Sequence, residues 1–348
     1  MAACVSVAEL AEGAAHEPLL DAEGRVRHPL LVVDLDTPLP SHVLARAALA
    51  AQSCDRVLVG LAAERVPGQS RALTEALDLS LVPAAADTRR ELVASSHPAD
   101  DANTLQAAAT ANPQATLVLA HILRATGQLD VPAALDAESF AYSTLLGGAE
   151  FATWLARRRA RPLPPQVHDP VLLSRDGALL RITLNRPQRR NAYGRELRDA
   201  LVAALQLAEL DSTIDKVVLD GMGPSFCSGG DLDEFGTTPD LATAHLVRTR
   251  AGAALPMHRL ADRLEVHVHG SCVGAGIELP AFAGRVVAHP DTTFRLPEVS
   301  MGLIPGAGGT VSLPRRIGRW RTLHMALSGR PLDAVTARSW GLIDAVES

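Results

Sequence analysis

Residues 270–310 read "GSCVGAGIELPAFAGRVVAHPDTTFRLPEVSMGLIPGAGGT", and two carboxylates in this run decide how the chain is read. Glu278 stands between Ile277 and Leu279 on a helix expected to open at Gly274, and Glu298 follows Leu296 and Pro297. Burying a carboxylate without a partner is costly, so sequences keep Asp and Glu out of such company unless the charge or a shifted pKa is used. One such glutamate is more often a helix cap, a salt bridge or a surface residue; two invite an acid/base reading. The "GAGGT" ahead of the next helix gives close backbone approach, and serves equally as a helix start or an anion site.

Two further glycine-bearing loops lie upstream, "NRPQRRNAYG" at 185–194 and "SFCSGGDLDEF" at 225–235. Between them run the amphipathic "GRELRDALVAALQLAEL" and the strand-like "KVVLDG", followed by a long helix expected around 240–261 and the strand "LEVHVHG". "VLLSR", the turn Asp176-Gly177 and "ALLRITL" predict a hairpin. Residues 30–61 predict a strand–helix–strand unit with Ser41 as the helix N-cap, and "ALTEALDLSLV" a helix running into a strand. From 113 to 160 the pattern is helical, punctuated by Pro113, Gly127, Pro132 and Gly147 and ending in Arg157, Arg158 and Arg159. The proline-rich "ARPLPPQVHDP" is the expected linker. The alternation argues for an α/β layered fold with largely parallel pairing, divided into an N-terminal domain at 1–165 and a core at 166–348. "LLVVDLDTPLPSHVLARAALAAQ" and "LLRITLNRPQRRNAYGRELRDALVAALQ" echo one another, as any two strand–loop–helix units can.

With 348 residues, 47% hydrophobic and 21% charged, the chain has ample material for a sizeable core. A net charge of -6 argues against nucleic acid as a partner. No basic-then-apolar leader pattern opens the sequence and no run approaches the ~20 apolar residues of a membrane span; a cytoplasmic protein with no membrane partner is expected. Cys4, Cys54, Cys227 and Cys272 form no CxxC pair, and His267 and His269 lack an identifiable third ligand, so no metal site is expected. Lys216 is the sole lysine, which eliminates a P-loop.

Together the segments "ITLNRPQRRNA", "FCSGGDL", "GSCVGAGIEL", "FRLPEVSMGLIPGAGGT" and "SGRPLDAVTARSWGLIDAV" resemble the crotonase, or enoyl-CoA hydratase/isomerase, superfamily over about 172–348. The resemblance implies a spiral of ββα turns that binds an acyl-CoA thioester and stabilises its enolate. It implies that the backbone N–H groups of Gly230 and Ala275 hold the thioester oxygen, a placement that preorganises two donors for a developing oxyanion. It further implies that Glu278 orients and deprotonates a water as base while Glu298 supplies the proton as acid, with the Gly306 N–H near the water; two close carboxylates titrate as a pair. For coenzyme A it points to Arg189 and Arg190 for the phosphates and to the loop carrying Ser228, Asp231 and Leu232 for the adenine. No separate cofactor is implied, coenzyme A being part of the substrate, and a homotrimer or dimer of trimers is the family expectation, as is a place in fatty acid metabolism.

Typical members continue beyond the "WGLIDAV" segment with helices that cover the site. Residues 113–160 look like that helical region displaced to the front of the core, and the 30–61 unit like a remnant of an earlier tandem copy. Gly284-Arg285 departs from the Asp that relatives usually carry there. The expected activity is reversible syn addition of water to a trans-2-enoyl-CoA, an enoyl-CoA hydratase (a lyase). The alternatives are isomerase, thioester hydrolase or carbon–carbon cleavage chemistry on the same platform, or a non-catalytic subunit.

Overall fold

Short apolar runs in the first hundred residues form parallel strands. A computed structural model describes residues 4–64, 66–83, 89–158 and 168–347. In it β1 (Cys4–Ser6), β2 (Leu30–Asp34), β3 (Val57–Leu61), β4 (Leu79–Pro83) and β5 (Leu92–Ser95) pair in chain order, each pair parallel. Helices α1 (Val7–Ala11), α2 (Ser41–Gln52) and α3 (Arg71–Ala76) cover one face, where Leu31, Val33 and Leu58 pack with Leu10, Leu44, Ala47 and Leu73. The alternate residues Leu30, Val32, Val57 and Val59 join the main core on the other face, as the two-residue period of a strand requires. The N-cap of α2 lies one residue earlier than expected, at Pro40: the Pro40 carbonyl accepts the N–H groups of Val43 and Leu44, and Ser41 is already the first helical residue. The proline ring fixes the φ of -60° that the cap position needs.

Four helices follow: α4 (Pro98–Ala111), α5 (Pro113–Thr126), α6 (Val131–Leu146) and α7 (Ala149–Arg157). Proline at the start of α4 and α5 loses no internal hydrogen bond there. Asp130 caps α6 by accepting the N–H of Ala133.

The second half opens with the hairpin β6 (Val171–Asp176) and β7 (Leu179–Leu184), turned by Gly177 at φ +57°. Then come α8 (Arg195–Leu210), β8 (Lys216–Gly221), α9 (Leu241–Arg250), α10 (Ala254–Arg259), β9 (Leu264–Val268), β10 (Ser271–Val273) and α11 (Ala275–Glu278). The chain closes with β11 (Arg285–Ala288), β12 (Thr293–Arg295), α12 (Gly309–Ser328), β13 (Leu332–Asp333), α13 (Ala334–Trp340) and β14 (Ala345–Val346). The six-stranded sheet runs β14-β11-β9-β8-β7-β6, parallel except for the hairpin, and β10-β12-β13 form a small second sheet. Both large sheets therefore add strands in sequence order, a βαβ spiral rather than a doubly wound sheet. The single long helix expected over 240–261 is two, α9 and α10. They part at Gly252, where a Cβ would sit 2.3 Å from the Arg248 carbonyl oxygen, so only glycine lets the chain turn that closely.

The halves share one core, running from Leu30 through Leu119 and Tyr142 to Ile343. Helix α12, interrupted at Gly318 (φ +83°), threads between them. Its Trp320 Nε1 donates to the Leu77 carbonyl at 3.0 Å, Arg319 and Arg124 both pair with buried Asp78, and Thr126 donates to the Thr310 carbonyl at 3.0 Å. The expected linker and the boundary at 165/166 fall largely on residues 159–167, outside the described residues. Among the described residues no helix is long and apolar enough to cross a membrane.

Candidate active site

Two loops are drawn together by glycine. Cys227 and Cys272 bridge in parallel, and the Val273 N–H donates to the Cys227 carbonyl at 3.1 Å. A Cβ on Gly276 would lie 2.1 Å from that same carbonyl oxygen, so any side chain there would force the loops apart. Buried Asn191 holds the third loop, accepting the Arg186 N–H at 2.7 Å and donating to the carbonyls of Met222 and Ser225 at 2.9 and 3.0 Å. Tyr193 donates its N–H to the Gly229 carbonyl and its own carbonyl accepts the N–H of Asp231. The N–H between them, on Gly230, is left with no acceptor among the described residues, and so is that of Ala275 at the first position of α11. Both residues line a cavity of about 410 Å³. Two unpaired donors at the edge of a cavity are what a developing oxyanion needs.

Glu278, Glu298 and Gly306 line the same cavity. Glu278 Oε2 accepts the N–H groups of Ala307 at 2.8 Å and Gly309 at 2.9 Å. A Cβ on Gly274, which sits at φ +49°, would stand 2.5 Å from Glu298 Oε1 and 3.5 Å from Glu278 Oε1, so the two carboxylates converge over a bare backbone. Glu298 Oε2 is buried without a hydrogen-bond partner. Burial, then the Glu298 and Glu138 charges, push the Glu278 carboxyl well above the usual range, against the pull of its two amide donors. Burial, then Glu138, push Glu298 up to about 8. A pair with raised pKa values can hold a proton near neutrality, as transfer between water and carbon demands.

Helix α6 roofs this pair. Glu138, buried and unforeseen from the sequence, accepts the N–H groups of Gly308 and Thr310 and the Thr310 hydroxyl, each at 2.8 Å. Successive amides of the 307–310 turn thus go alternately to Glu278 and Glu138, both at the positive end of α12. Burial nevertheless pushes Glu138 up to about 7. The Tyr142 ring packs onto Gly306, two of its carbons 2.3 and 2.4 Å from where a Cβ would be. Leu135, Glu138, Ser139, Tyr142 and Leu146 all line the cavity. Their spacing is that of one helix face, and the polar residues within that face were the available signal. The Gly306 N–H, expected near a water, makes no hydrogen bond to the described residues.

Of the residues expected to hold coenzyme A, Asp231 lines the cavity; Arg189, Arg190, Ser228 and Leu232 lie beside it on the same two loops. Arg189 pairs with Asp231 and, at 2.6 Å, with Asp233, so its charge is already balanced within the protein. Arg190 is exposed at φ +51°, and the Ser228 N–H donates to its carbonyl. Leu232 gives its carbonyl to Arg158. Arg195 and Arg198, not singled out by sequence, line the cavity instead. His267 bonds Glu265 at 2.6 Å and His269 the Gly223 carbonyl at 2.9 Å; no metal-binding cluster occurs among the described residues. Gly284 is the position where a Cβ would meet the Ala261 carbonyl at 2.4 Å, and Arg285 turns outward to Glu347.

A family model described as enoyl-CoA hydratase/isomerase matches residues 174–348. The chain belongs to the enoyl-CoA hydratase/isomerase family. Among curated relatives, a 2,3-dehydroadipyl-CoA hydratase of Escherichia coli is 36% identical over 176 residues, 51% of this chain and 68% of the relative. A 1,2-epoxyphenylacetyl-CoA isomerase of the same organism is 34% identical over 178 residues, 50% of this chain and 68% of the relative. An enoyl-CoA hydratase structure from Mycobacterium smegmatis aligns with 31% identity and a TM-score of 0.48, covering 51% of this chain and 70% of that one. Family members thus carry hydratase and isomerase names alike, and the matched region is the half that holds Gly230, Ala275, Glu278 and Glu298.

Proposed function

We propose that the chain is an enoyl-CoA hydratase, adding water reversibly and with syn geometry to a trans-2-enoyl-CoA thioester. The observation that carries this reading is the convergence of the Glu278 and Glu298 carboxylates over Gly274, beside two N–H groups with no acceptor among the described residues. The thioester oxygen sits between the Gly230 and Ala275 N–H groups, which stabilise the negative charge as the β-carbon is attacked. Glu278, held by Ala307 and Gly309, orients a water through its free Oε1 and accepts its proton; Glu298 delivers a proton to the α-carbon. The hydroxyl ends on the β-carbon, the proton on the α-carbon, and no electron acceptor is required. Neither carboxylate alone does this, because one proton must leave the water while another reaches carbon.

Helix α6 completes the site in this reading, as a roof supplied from the residues ahead of the core. Arg195 and Arg198 at the cavity wall are the candidates for coenzyme A phosphates, with Arg189 as an organiser of the Asp231 loop. A homo-oligomer and a cytoplasmic setting accompany the proposal, tested by light scattering and fractionation. The deciding assay is loss of conjugated-thioester absorbance when the purified protein meets a panel of trans-2-enoyl-CoA thioesters. Loss in the wild type that disappears in Glu278→Gln and in Glu298→Gln supports hydration; an unchanged 2-enoyl panel alongside turnover of 3-enoyl thioesters refutes it in favour of isomerisation.

A further inference from the structure

The seam between α6 and α9 holds a positive charge with no carboxylate in ion-pair contact among the described residues, the buried Glu138 acting on it only through space. Arg248 lines the cavity, half-buried. Its Nε donates to Ser139 Oγ at 3.1 Å, and its Nη2 to Ser143 Oγ at 2.5 Å and to the Ser139 carbonyl at 3.4 Å. The guanidinium lies 4.5 Å above the Tyr142 ring centroid. These contacts fix its plane, but none carries a negative charge. Among the described residues no carboxylate comes within ion-pair distance of Arg248, whereas Arg250, two residues on, pairs with Asp136 at 3.2 Å. Glu138, adjacent to Ser139, spends both oxygens on the 308–310 turn. Arg248 Nη1 makes no hydrogen bond to the described residues and is not among the buried polar atoms.

Taking a guanidinium out of water without a counter-charge is costly, and burial accordingly lowers the Arg248 pKa. An arginine held rigid on two serines and an aromatic face, with one nitrogen free at a cavity wall, is preorganised for a planar anion. Its place in the cavity says where that anion comes from. Tyr142 beneath it touches the Gly306 backbone and feels the charges of Glu298 and Glu278, so Arg248 stands on the carboxylate side of the site. Leu135, Leu146, Ala244 and Val247 line the cavity around it, a setting for a carbon chain.

We propose that Arg248 binds a carboxylate at the far end of the substrate's acyl chain, so that the preferred substrates are mono-CoA thioesters of unsaturated dicarboxylic acids. This rests on the reading of the cavity as an acyl-CoA site. Phosphate could be held by the same chemistry, and the test separates the two.

Isothermal titration of the full-length protein with saturated ω-carboxyacyl-CoA thioesters of graded chain length, which cannot be hydrated, is compared with their methyl esters and with free coenzyme A. At the matching length the wild type binds the acid about 10- to 100-fold more tightly than the ester, the range of a charge-assisted hydrogen bond. In Arg248→Met the ratio collapses to about one, while Arg248→Lys keeps part of it. Equal binding of acid and ester by the wild type at every length overturns the inference without any variant. So does a ratio that survives in Arg248→Met, or a loss that is as large for free coenzyme A, which would assign Arg248 to a phosphate. If thioesters bind without preference only this inference falls; if no thioester binds, the hydratase reading falls with it.

Discussion

Replacing Gly306 with alanine places a methyl group where Tyr142 already is. The new Cβ would lie 2.3 and 2.4 Å from Tyr142 Cδ2 and Cε2 and 3.1 Å from Cγ, against the ~3.5–4.0 Å at which carbons rest in contact. Gly306 does not occupy the left-handed region, so the backbone itself accepts alanine and the cost is steric. The ring cannot simply swing away, since it is buried beneath the Arg248 guanidinium; α6 must shift or Tyr142 must leave its rotamer. Over-packing of this kind costs ~1–3 kcal/mol. In a Tyr142→Ala background the space is empty and the same Gly306→Ala change costs close to nothing, so the coupling energy equals nearly the whole penalty, ~1–3 kcal/mol of opposite sign to the single-mutant sum. Urea unfolding of the wild type, both single variants and the double variant measures it. A Gly306→Ala penalty that is the same in both backgrounds, within ~0.5 kcal/mol, would refute the seating of α6 on the 306–310 turn.

Other outcomes follow from the same geometry. Because the Glu298 pKa is raised, to about 8, its contribution to stability is present below its unfolded pKa and lost as pH rises through 8; Glu298→Gln, which carries no charge, should melt higher than wild type at pH 9 while losing activity, by ~1–3 kcal/mol of relative stability. The Glu138 charge raises the pKa values of Glu278 and Glu298, so in the hydratase reading Glu138→Gln should move the basic limb of the kcat/KM profile to lower pH, whereas Glu138→Ala, which strands three donors, should destabilise by ~3 kcal/mol in calorimetry. Gly276→Ala drives a methyl group to within 2.1 Å of the Cys227 carbonyl and should separate the Gly230 and Ala275 donors, lowering kcat by ~10²-fold with the thermal melt as a control for folding.

The sequence disclosed those features that local chemistry enforces. Glu278 and Glu298 stood out because carboxylates seldom occur in such apolar runs, and the strands at 30–34 and 57–61 because every residue in them is apolar on both faces or nearly so. Gly252 was a visible signal for the break between α9 and α10, but the surrounding helical residues masked it. The Pro40 carbonyl outcompeted Ser41 for the first turn of α2, a matter of one residue that propensity does not resolve. Glu138, Tyr142 and Arg248 escaped the sequence reading for a different reason, the polar spacing on α6 marking a face but not what it meets. Each is an ordinary residue on a helix, and its meaning comes from partners far along the chain, Gly308 and Thr310 for Glu138, Gly306 for Tyr142 and Ser139 for Arg248. Arg189 shows the converse: a loop arginine suggestive of phosphate binding proves to be balanced by Asp231 and Asp233, which only the folded loops bring to it.

In the proposed hydratase reaction Glu278 and Glu298 add water across a double bond beneath α6, and labelled water distinguishes that reaction from the other chemistries of the family. Incubation of the full-length protein with a trans-2-enoyl-CoA in ¹⁸O-labelled D₂O, followed by mass spectrometry of the thioester, should give a 3-hydroxyacyl-CoA carrying ¹⁸O at carbon 3 and deuterium at carbon 2. Both labels should fall by ~10²–10⁴-fold in rate in Glu278→Gln and in Glu298→Gln. Label in a released carboxylate, deuterium without ¹⁸O, or label incorporation that persists in either variant would contradict the account.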